Sequence, residues 1–392
     1  MKSVRTAVPK VMIDARMVGP IPHGIARFVD SIALGLSQLQ ERQGQLSYLP
    51  VFMMEHSQAK RREAEGGFHG FPVLGMGSPF LSPKEWWEIS SRLRLGQADL
   101  YHSPSFASLP AGFWPRCPWV LTIHDLNHRT FGGWKEKLYY STLLRPFAER
   151  AAVLTTVSET SRSEIFQWIE RSQIDVIPNS LSPKLADPVS DADVQAVFSK
   201  PELSSIQPGK FFFCLSNPKP HKNARALADS FQQFLKNLGQ SQQRPKLIFS
   251  FDGFEDEPSA YRNIPEIVFL PKGSCDDRTS QVLLKSSAAF FFPSLYEGFG
   301  LPPLEAALAG ARLVISKIDA HLEALRDLSP GEVHWVSPED HHGWVQAFHR
   351  AMRDDLMAVR PESGRRILDR YTPLATGQAV DRVYRSVLGT KK

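Results

Sequence analysis

Two doubly wound α/β domains in tandem are what the sequence predicts, and three observations carry that prediction. Short apolar runs alternate with longer stretches of helical periodicity on both sides of the chain's middle, as parallel strands with helical crossovers do. The alternation lapses over residues 182–209, SPKLADPVSDADVQAVFSKPELSSIQPG, where prolines and polar residues dominate. At 392 residues the chain is also long for one core.

In the first half, VMIDAR (11–16) reads as a strand and residues 24–40 as a helix, with Ile25, Phe28, Ile32 and Leu36 at helical spacing. LSYLPVFMM (46–54) is the second strand; ADLYHSPS (98–105) and WVLTIHD (119–125) are strands that run into polar loops. KEKLYYSTLLRPFAERA (135–151) is helical, with a break expected at Pro146. VLTTVSE (153–159) is a strand, SETSRSEIFQWI opens on capping residues and continues as a helix, and IDVIPN (174–179) closes this half. Beyond the lapse, KFFFCLS (210–216), KLIFSFDG (246–253), EIVFLP (266–271), AAFFFPS (288–294) and RLVISK (312–317) are strands. Helices are expected near 222–237 and 276–287, from 302, and over 363–388 with a break near Pro373. The domains so drawn are 1–185, a linker 186–209, 210–362, and C-terminal helices over 363–392.

Forty-six Lys and Arg against 41 Asp and Glu leave a net charge of +5. That suits an acidic partner, although a scattered surface excess explains it more simply. No basic cluster or stacking platform points to nucleic acid. The three cysteines, Cys117, Cys214 and Cys275, form no CxxC pair and read as reduced thiols of a cytoplasmic protein. The first residues lack the apolar core of a signal peptide, and no run approaches the length of a membrane span. WWEISSRLRLG (86–96) and GWKEKLYYSTLLRPF (133–147) mix aromatics with Lys and Arg. They are expected as packed helices with snorkelling cations, peripheral contact with a lipid surface being the other reading.

Ligands of open α/β sheets bind beyond the carboxyl ends of the strands. The polar residues there are richest in SLYEGFGLPPLEAALAG (294–310). Gly298 and Gly300 allow close backbone approach to a ligand. Pro302 and Pro303 suit the first turn of a helix, whose positive end favours phosphate. Glu297 lies before that helix and Glu305 is expected in its first turn; a carboxylate accepts well from sugar hydroxyls. No GxGxxG follows the first strand, which argues against a dinucleotide oxidoreductase.

The E-x7-E pair of Glu297 and Glu305, set in EGFGLPPLEAALAG, resembles the signature of glycosyltransferase family 4, whose members retain anomeric configuration. The resemblance runs from about residue 11 to about residue 320. It implies the GT-B fold: two facing Rossmann-like doubly wound domains with the site in the interdomain cleft, and C-terminal helices that cross back to the first domain. It assigns Glu297 to the donor-sugar hydroxyls, Glu305 to the ribose, and the amides of Gly298, Phe299, Gly300 and Leu301 to the diphosphate or sugar. CLSNPKPHKNARAL (214–227) is similar to the family's basic diphosphate loop, with Lys222 at its lysine and Lys219 close by. Ser216 and Asn217 stand where many relatives carry an arginine. TIHDLNHRTF (122–131) is similar to the IHD segment, placing His124 near the transferred sugar and Asp125 beside it. PIPHGIARFVDSIA (20–33) resembles the N-terminal glycine loop, with Gly24 beside the phosphates and Arg27 toward an acidic acceptor. HSPS (102–105), TVSETSRSEI (156–165) and VIPNS (176–180) recur as well. FSFDGFEDEP (249–258) departs from the family's glycine-richer turn, and PKGS (271–274), with Lys272, is assigned to the nucleobase edge.

The activity implied is transfer of a hexose from a nucleotide-sugar to a glycan or polyprenyl-linked acceptor in surface polysaccharide synthesis. GDP-mannose is the favoured donor and a UDP-sugar the alternative. No cofactor is implied and, with no DxD motif, no metal ion; a front-face route is the common proposal for such enzymes. The competing reading is a non-catalytic nucleotide-sugar or glycan-binding module of the same fold.

Overall fold

The structure, a computed structural model, describes residues 8–19, 23–171, 173–239, 244–254, 256–257 and 259–389. The chain divides into two compact units. One runs to Ser180 and takes up the chain again from Tyr371; the other is Leu181–Arg370.

The first unit is built from β1 (Lys10–Asp14), α1 (Gly24–Gln43), β2 (Leu49–Glu55), α2 (His56–Ala64), β3 (Val73–Met76), α3 (Pro83–Leu95), β4 (Leu100–Ser103), β5 (Trp119–Thr122), α4 (Asn127–Thr130), α5 (Trp134–Tyr139), α6 (Arg145–Arg150), β6 (Val153–Thr156), α7 (Glu159–Ile169) and β7 (Ile174–Val176). Its seven strands pair in parallel in the order β3-β2-β1-β4-β5-β6-β7. The strand order reverses between β1 and β4, where an open sheet splays a crevice at its carboxyl edge. Phe28, Ile32 and Leu36 are fully buried, so the helical spacing does mark the inner side of α1. Ser158 caps α7, its hydroxyl accepting from the Ser161 amide at 3.0 Å.

Pro146 does not end its helix. Between α5 and α6 the chain widens into a π-helical turn, Tyr140–Leu144, with the Arg145 amide reaching back to the Tyr140 carbonyl. The wider turn absorbs the bulk of the proline ring and its missing donor, so the three pieces remain in register as one helical rod.

The second unit comprises α8 (Asp191–Phe198), β8 (Phe211–Cys214), α9 (Ala224–Asn237), β9 (Lys246–Phe249), β10 (Ile267–Phe269), α10 (Asp277–Ser286), β11 (Ala289–Phe292), α11 (Leu301–Leu308), β12 (Leu313–Ser316), α12 (Asp319–Ala324), β13 (Val333–Val336), α13 (His341–Met352) and α14 (Pro361–Arg370). Its six parallel strands run β10-β9-β8-β11-β12-β13. The phenylalanine-rich strands interlock with α13: Phe291 stacks on Phe348 at 4.2 Å and Phe212 lies 5.1 Å from the same ring.

Residues 186–209, read from the sequence as a linker, pack within this second unit. Ser190 and Asp193 form a capping box at the start of α8, and Arg278 of α10 pairs with Asp193. Lys200 Nζ bonds to Ser274 O at 3.0 Å and Thr279 Oγ1 at 2.7 Å. Buried Val197, Leu203 and Ile206, with Phe198 against Phe211, anchor the segment as well, but they are too few and too interrupted by prolines to read as an element. At the other end, α14 stays with the second unit, and only the final helix, α15 (Pro373–Leu388), belongs to the first. It lies on α1 where Gly35 meets Gly377: a Cβ on Gly377 would sit 2.2 Å from the Gly35 carbonyl carbon. The edge strands β3 and β13 and the helices α2 and α12 carry no strong signal in the sequence; α13 does, with Trp344, Val345, Phe348 and Ala351 at helical spacing.

Candidate functional site

In the second unit the site grows from the carboxyl ends of two adjacent strands, β8 and β11. After β8 the chain makes a short 3-10 turn, Pro220–Lys222, and then starts α9 through Asn223, which sits in the left-handed region at φ 56°. A short polar side chain tolerates that conformation. The Asn223 amide also staples the turn down, donating to Pro338 O at 2.9 Å and Pro293 O at 3.3 Å. The Leu295 amide donates to His221 O at 2.8 Å. These bonds bring Lys222 beside the segment that follows β11.

There Lys222 Nζ bonds to Glu297 Oε1 at 2.7 Å, and the Ser294 hydroxyl donates to the same oxygen at 2.8 Å. Little of either ion-pair side chain is exposed, 15% for Lys222 and 9% for Glu297. Burial pushes the Glu297 carboxyl up, but the Lys222 ammonium beside it and the two hydrogen bonds outweigh it, and the group sits below the usual carboxylate range. Behind it runs a second chain of bonds. Ser316 Oγ donates to Ser294 O at 2.6 Å, and His321 Nδ1 lies 2.9 Å from Ser316 O. A carbonyl can only accept, so Nδ1 carries the proton. Burial holds the His321 ring below its ordinary pKa, against the pull of Glu297. Its Nε2 is therefore an acceptor, buried and unpartnered among the described residues.

Gly300 turns the loop into α11 at φ +87°. A Cβ there would lie 3.1 Å from His321 Cδ2, so glycine is required twice, for the conformation and for the room. Pro302 and Pro303 occupy the second and third positions of α11 and donate nothing. The helix end thus offers an anion mainly the amides at and before Leu301, a narrower set than an ordinary N-terminus provides. Glu305 is buried and is the fifth residue of α11, so it lies in the second turn and not the first. Phe299 is buried too. Lys219 is exposed on the Lys222 loop, its amide bonded to Asn217 Oδ1 at 3.1 Å. Lys272 is exposed in the turn after β10, next to Gly273 at φ +83°. The structure thus gathers Lys222, Glu297 and the Gly298–Leu301 segment into one place, with Lys219 on the adjoining loop; Lys272 stands two strands away.

The first unit holds the remaining predicted residues. His124 follows β5, and its Nε2 lies 2.9 Å from Pro104 O, so Nε2 donates and Nδ1 is the acceptor. Burial lowers the pKa of this ring, the Pro104 carbonyl and Asp125 oppose it, and His23 lowers it further. The ring stands edge-on to Phe28 of α1 at 4.9 Å, which joins the His124 loop to the helix that begins at Gly24. His23 caps that helix, and no described residue lies within 4 Å of where a Gly24 Cβ would stand. Arg27 is half-buried one turn along. Residues 20–22 of the predicted glycine loop lie outside the described residues, as do 255 and 258 of the departing turn. Asp125 accepts from the Asn127 amide at 2.9 Å and so shapes the loop.

Sequence reasoning missed Ser294, Ser316 and His321, and in the first unit His102. The His102 ring is fully buried between the Tyr384 hydroxyl at 2.6 Å and Thr122 Oγ1 at 2.8 Å. Only the HSPS motif hinted at it. No group of three or more His, Cys, Asp or Glu arranged for a metal ion occurs among the described residues. Nor is any described helix long and apolar enough to cross a membrane.

Comparison with known proteins gives these two units their context. Residues 24–180 match the Glycosyl transferase 4-like domain and residues 198–366 the Glycosyl transferases group 1 family. The chain is 25% identical over 268 residues to the serotype-specific mannosyltransferase WbdA of Escherichia coli, across 65% of its own length and 31% of that protein's. It thus spans only about a third of that relative. It is 24% identical over 396 residues to a phosphatidyl-myo-inositol mannosyltransferase of Mycobacterium tuberculosis, covering 95% of this chain and 97% of that one. The crystal structure of Anabaena Alr3699/HepE in complex with UDP-glucose superimposes with a TM-score of 0.71 at 16% identity, over 96% of this chain and 99% of that one. With both units matched in succession, the chain belongs to the glycosyltransferases of family 4, a glycosyl transferase 4-like domain followed by a group 1 domain in the GT-B fold.

Proposed function

We propose that the protein is a retaining hexosyltransferase, moving mannose from GDP-mannose to a glycan or polyprenyl-linked glycan in surface polysaccharide synthesis at the cytoplasmic face of a membrane. The observation that carries this reading is the Lys222–Glu297 pair at 2.7 Å, directly before the Gly298–Leu301 segment. It sets a cation for a diphosphate and an acceptor-only group for sugar hydroxyls side by side. Two of the relatives described above are named mannosyltransferases, which supports mannose. The Anabaena structure holds UDP-glucose, which makes a UDP-sugar the alternative donor.

In this reading Lys222, with Lys219 and the loop amides, takes the charge that grows on the departing diphosphate, with no metal ion or cofactor assigned. Glu297 and Glu305 hold the sugar and the ribose, Lys272 the edge of the base, and Gly24 borders the phosphates. His124 offers its Nδ1 lone pair to a hydroxyl of the transferred sugar, while Arg27 and Asp125 serve the acceptor side. The acceptor hydroxyl bonds to the anomeric carbon as the bond to the phosphate oxygen breaks. Its proton passes to the leaving diphosphate.

The test is a panel of nucleotide-sugars screened for thermal stabilisation, followed by turnover. A ligand at a hundred times its Kd adds about 2.7 kcal/mol to apparent stability. GDP-mannose is expected to raise the melting temperature most. Glu297→Gln is expected to cut kcat by roughly a hundredfold or more with the fold intact. Stabilisation without transfer to any acceptor would make the protein a binding module, and no response to any nucleotide-sugar would end the reading.

A further inference from the structure

We propose that His321 is the positioning residue of the donor site: its neutral ring holds the Glu297 carboxylate and the Gly300 turn in register, and a proton on Nε2 releases the turn. The role rests on the donor reading given above and adds an acid sensitivity to it. His321 is the third residue of α12 and has no exposed surface. It acts through the groups that hold the donor.

One edge of the ring supports the carboxylate. Nδ1 lies 2.9 Å from Ser316 O and 3.2 Å from Ser316 Oγ. That hydroxyl gives its own proton to Ser294 O at 2.6 Å, and the Ser294 hydroxyl donates to Glu297 Oε1 at 2.8 Å. The relay runs from α12 through the end of β12 to the loop after β11, and its last bond sets where the carboxylate stands. The opposite edge of the ring supports the turn. A Cβ built on Gly300 would lie 3.1 Å from His321 Cδ2 and 3.7 Å from Nε2. Phe292, the last residue of β11, packs on the ring at 5.4 Å, and Lys222 Nζ lies 5.9 Å from the same phenyl centre. A single side chain thus fixes the group for the sugar and the turn that aims the Gly298–Leu301 amides.

Nε2 separates this role from plain packing. It is a buried acceptor with no hydrogen-bond partner among the described residues, a cost that an apolar side chain in the same space would avoid. With Nδ1 committed to Ser316, a second proton has only Nε2 to occupy. There it would point toward Gly300 and find no acceptor among the described residues, and the strain would fall on a turn already held at φ +87°. Burial opposes that proton most. Of the charges on neighbouring elements, Glu297 in the loop after β11 favours it and Lys222 in the turn before α9 opposes it, and the ring stays below its ordinary pKa. In its own segment Lys317 and Asp319 are exposed and Glu323 is half-buried. The proton is therefore taken up as the turn yields, and donor binding, which needs the turn in place, weakens as pH falls.

Calorimetric titration of the full chain with GDP-mannose and with UDP-glucose, at several pH values, tests this. Both probes carry a diphosphate esterified at each end, which takes up no proton near neutrality, and Glu297 stays ionised because its carboxyl is held low. Affinity is expected to fall roughly tenfold between about pH 7.5 and about pH 5.5. His321→Leu keeps the bulk and loses the bond to Ser316, and is expected to bind roughly tenfold more weakly at neutral pH. His321→Asn presents an amide N–H where Nδ1 stands and has nothing to titrate. It is expected to recover most of that loss and to bind with an affinity that no longer changes with pH. His221, the other buried histidine of the unit, is intact in both variants. A pH-independent affinity in the parent chain, an acid loss that persists in His321→Asn, or a leucine variant that binds like the parent overturns the assignment. Nitrogen NMR of the ligand-free chain, with the His321 signals identified by their loss in His321→Asn, is expected to show Nδ1 protonated and Nε2 bare at neutral pH. An Nε2–H ring overturns the role of His321 alone. An Nδ1–H ring in a chain that binds no nucleotide-sugar ends the donor reading and the role that rests on it.

Discussion

Lys222 and Glu297 stand 75 positions apart in the chain, and each depends on the other. Removing Lys222 leaves a carboxylate with 9% side-chain exposure that keeps its bond from the Ser294 hydroxyl but loses its cation. Lys222→Met is therefore expected to raise the Glu297 pKa and to destabilise the second unit by about 1–3 kcal/mol. The sign with pH follows from the depressed carboxyl: its contribution is whole above the ordinary glutamate range and is lost as pH falls through the lower folded value. Urea unfolding of Lys222→Met, Glu297→Gln and the double variant checks this; costs that simply add would mean the two do not interact. Both residues could be read from their motifs because glutamate and glycine spacing is local. Ser294, Ser316 and His321 could not, because their bonds form between the ends of β11, β12 and α12, which only folding brings together.

The loop into α11 shows how an element constrains a site. Gly300 at φ +87° faces the His321 ring, so Gly300→Ala meets both backbone strain and a 3.1 Å contact. A loss of about 1–3 kcal/mol is expected, with weakened nucleotide-sugar binding as the Gly298–Leu301 amides shift. Thermal melting with and without ligand measures both, and an alanine variant that melts and binds like the parent would contradict the role given to this turn. The same element corrects a simple expectation. Two prolines start the helix well but silence two of its first amides, so its anion-binding power rests on the loop. The proline in the α5–α6 rod teaches the converse, since Pro146 reads as a stop in sequence and is accommodated by a widened turn.

Over the full chain, the return of α15 to the first unit ties the C-terminus to the core that supports His124. Tyr384 of α15 bonds to His102, and His102 to Thr122, at the end of β5. Burial lowers the His102 pKa to about 3. A histidine kept neutral by folding contributes stability that is present above its unfolded value and is lost on acidification. The first unit should therefore weaken below about pH 6.5, by at most about 1.4 kcal/mol per unit from this one group. His102→Gln is expected to flatten that slope in urea titrations between neutral and acid pH; an unchanged slope would assign the loss elsewhere. The helix crossing is as exacting. Gly35→Val or Gly377→Val would force α1 and α15 apart, with an expected cost of roughly 2–4 kcal/mol and faster amide exchange along α15.

Alternating apolar runs and helical spacings announced two parallel sheets with helical crossovers, because periodicity is a property of neighbours along the chain. The spacing of Glu297 and Glu305 within 294–310 was legible for the same reason. Packing decided the rest: that 186–209 joins the second unit, that α15 alone returns to the first, that Lys222 reaches Glu297, and that Trp87 and Trp134 face outward. Burial and charge coupling depend on which distant segments touch, and no local pattern of residues contains that information.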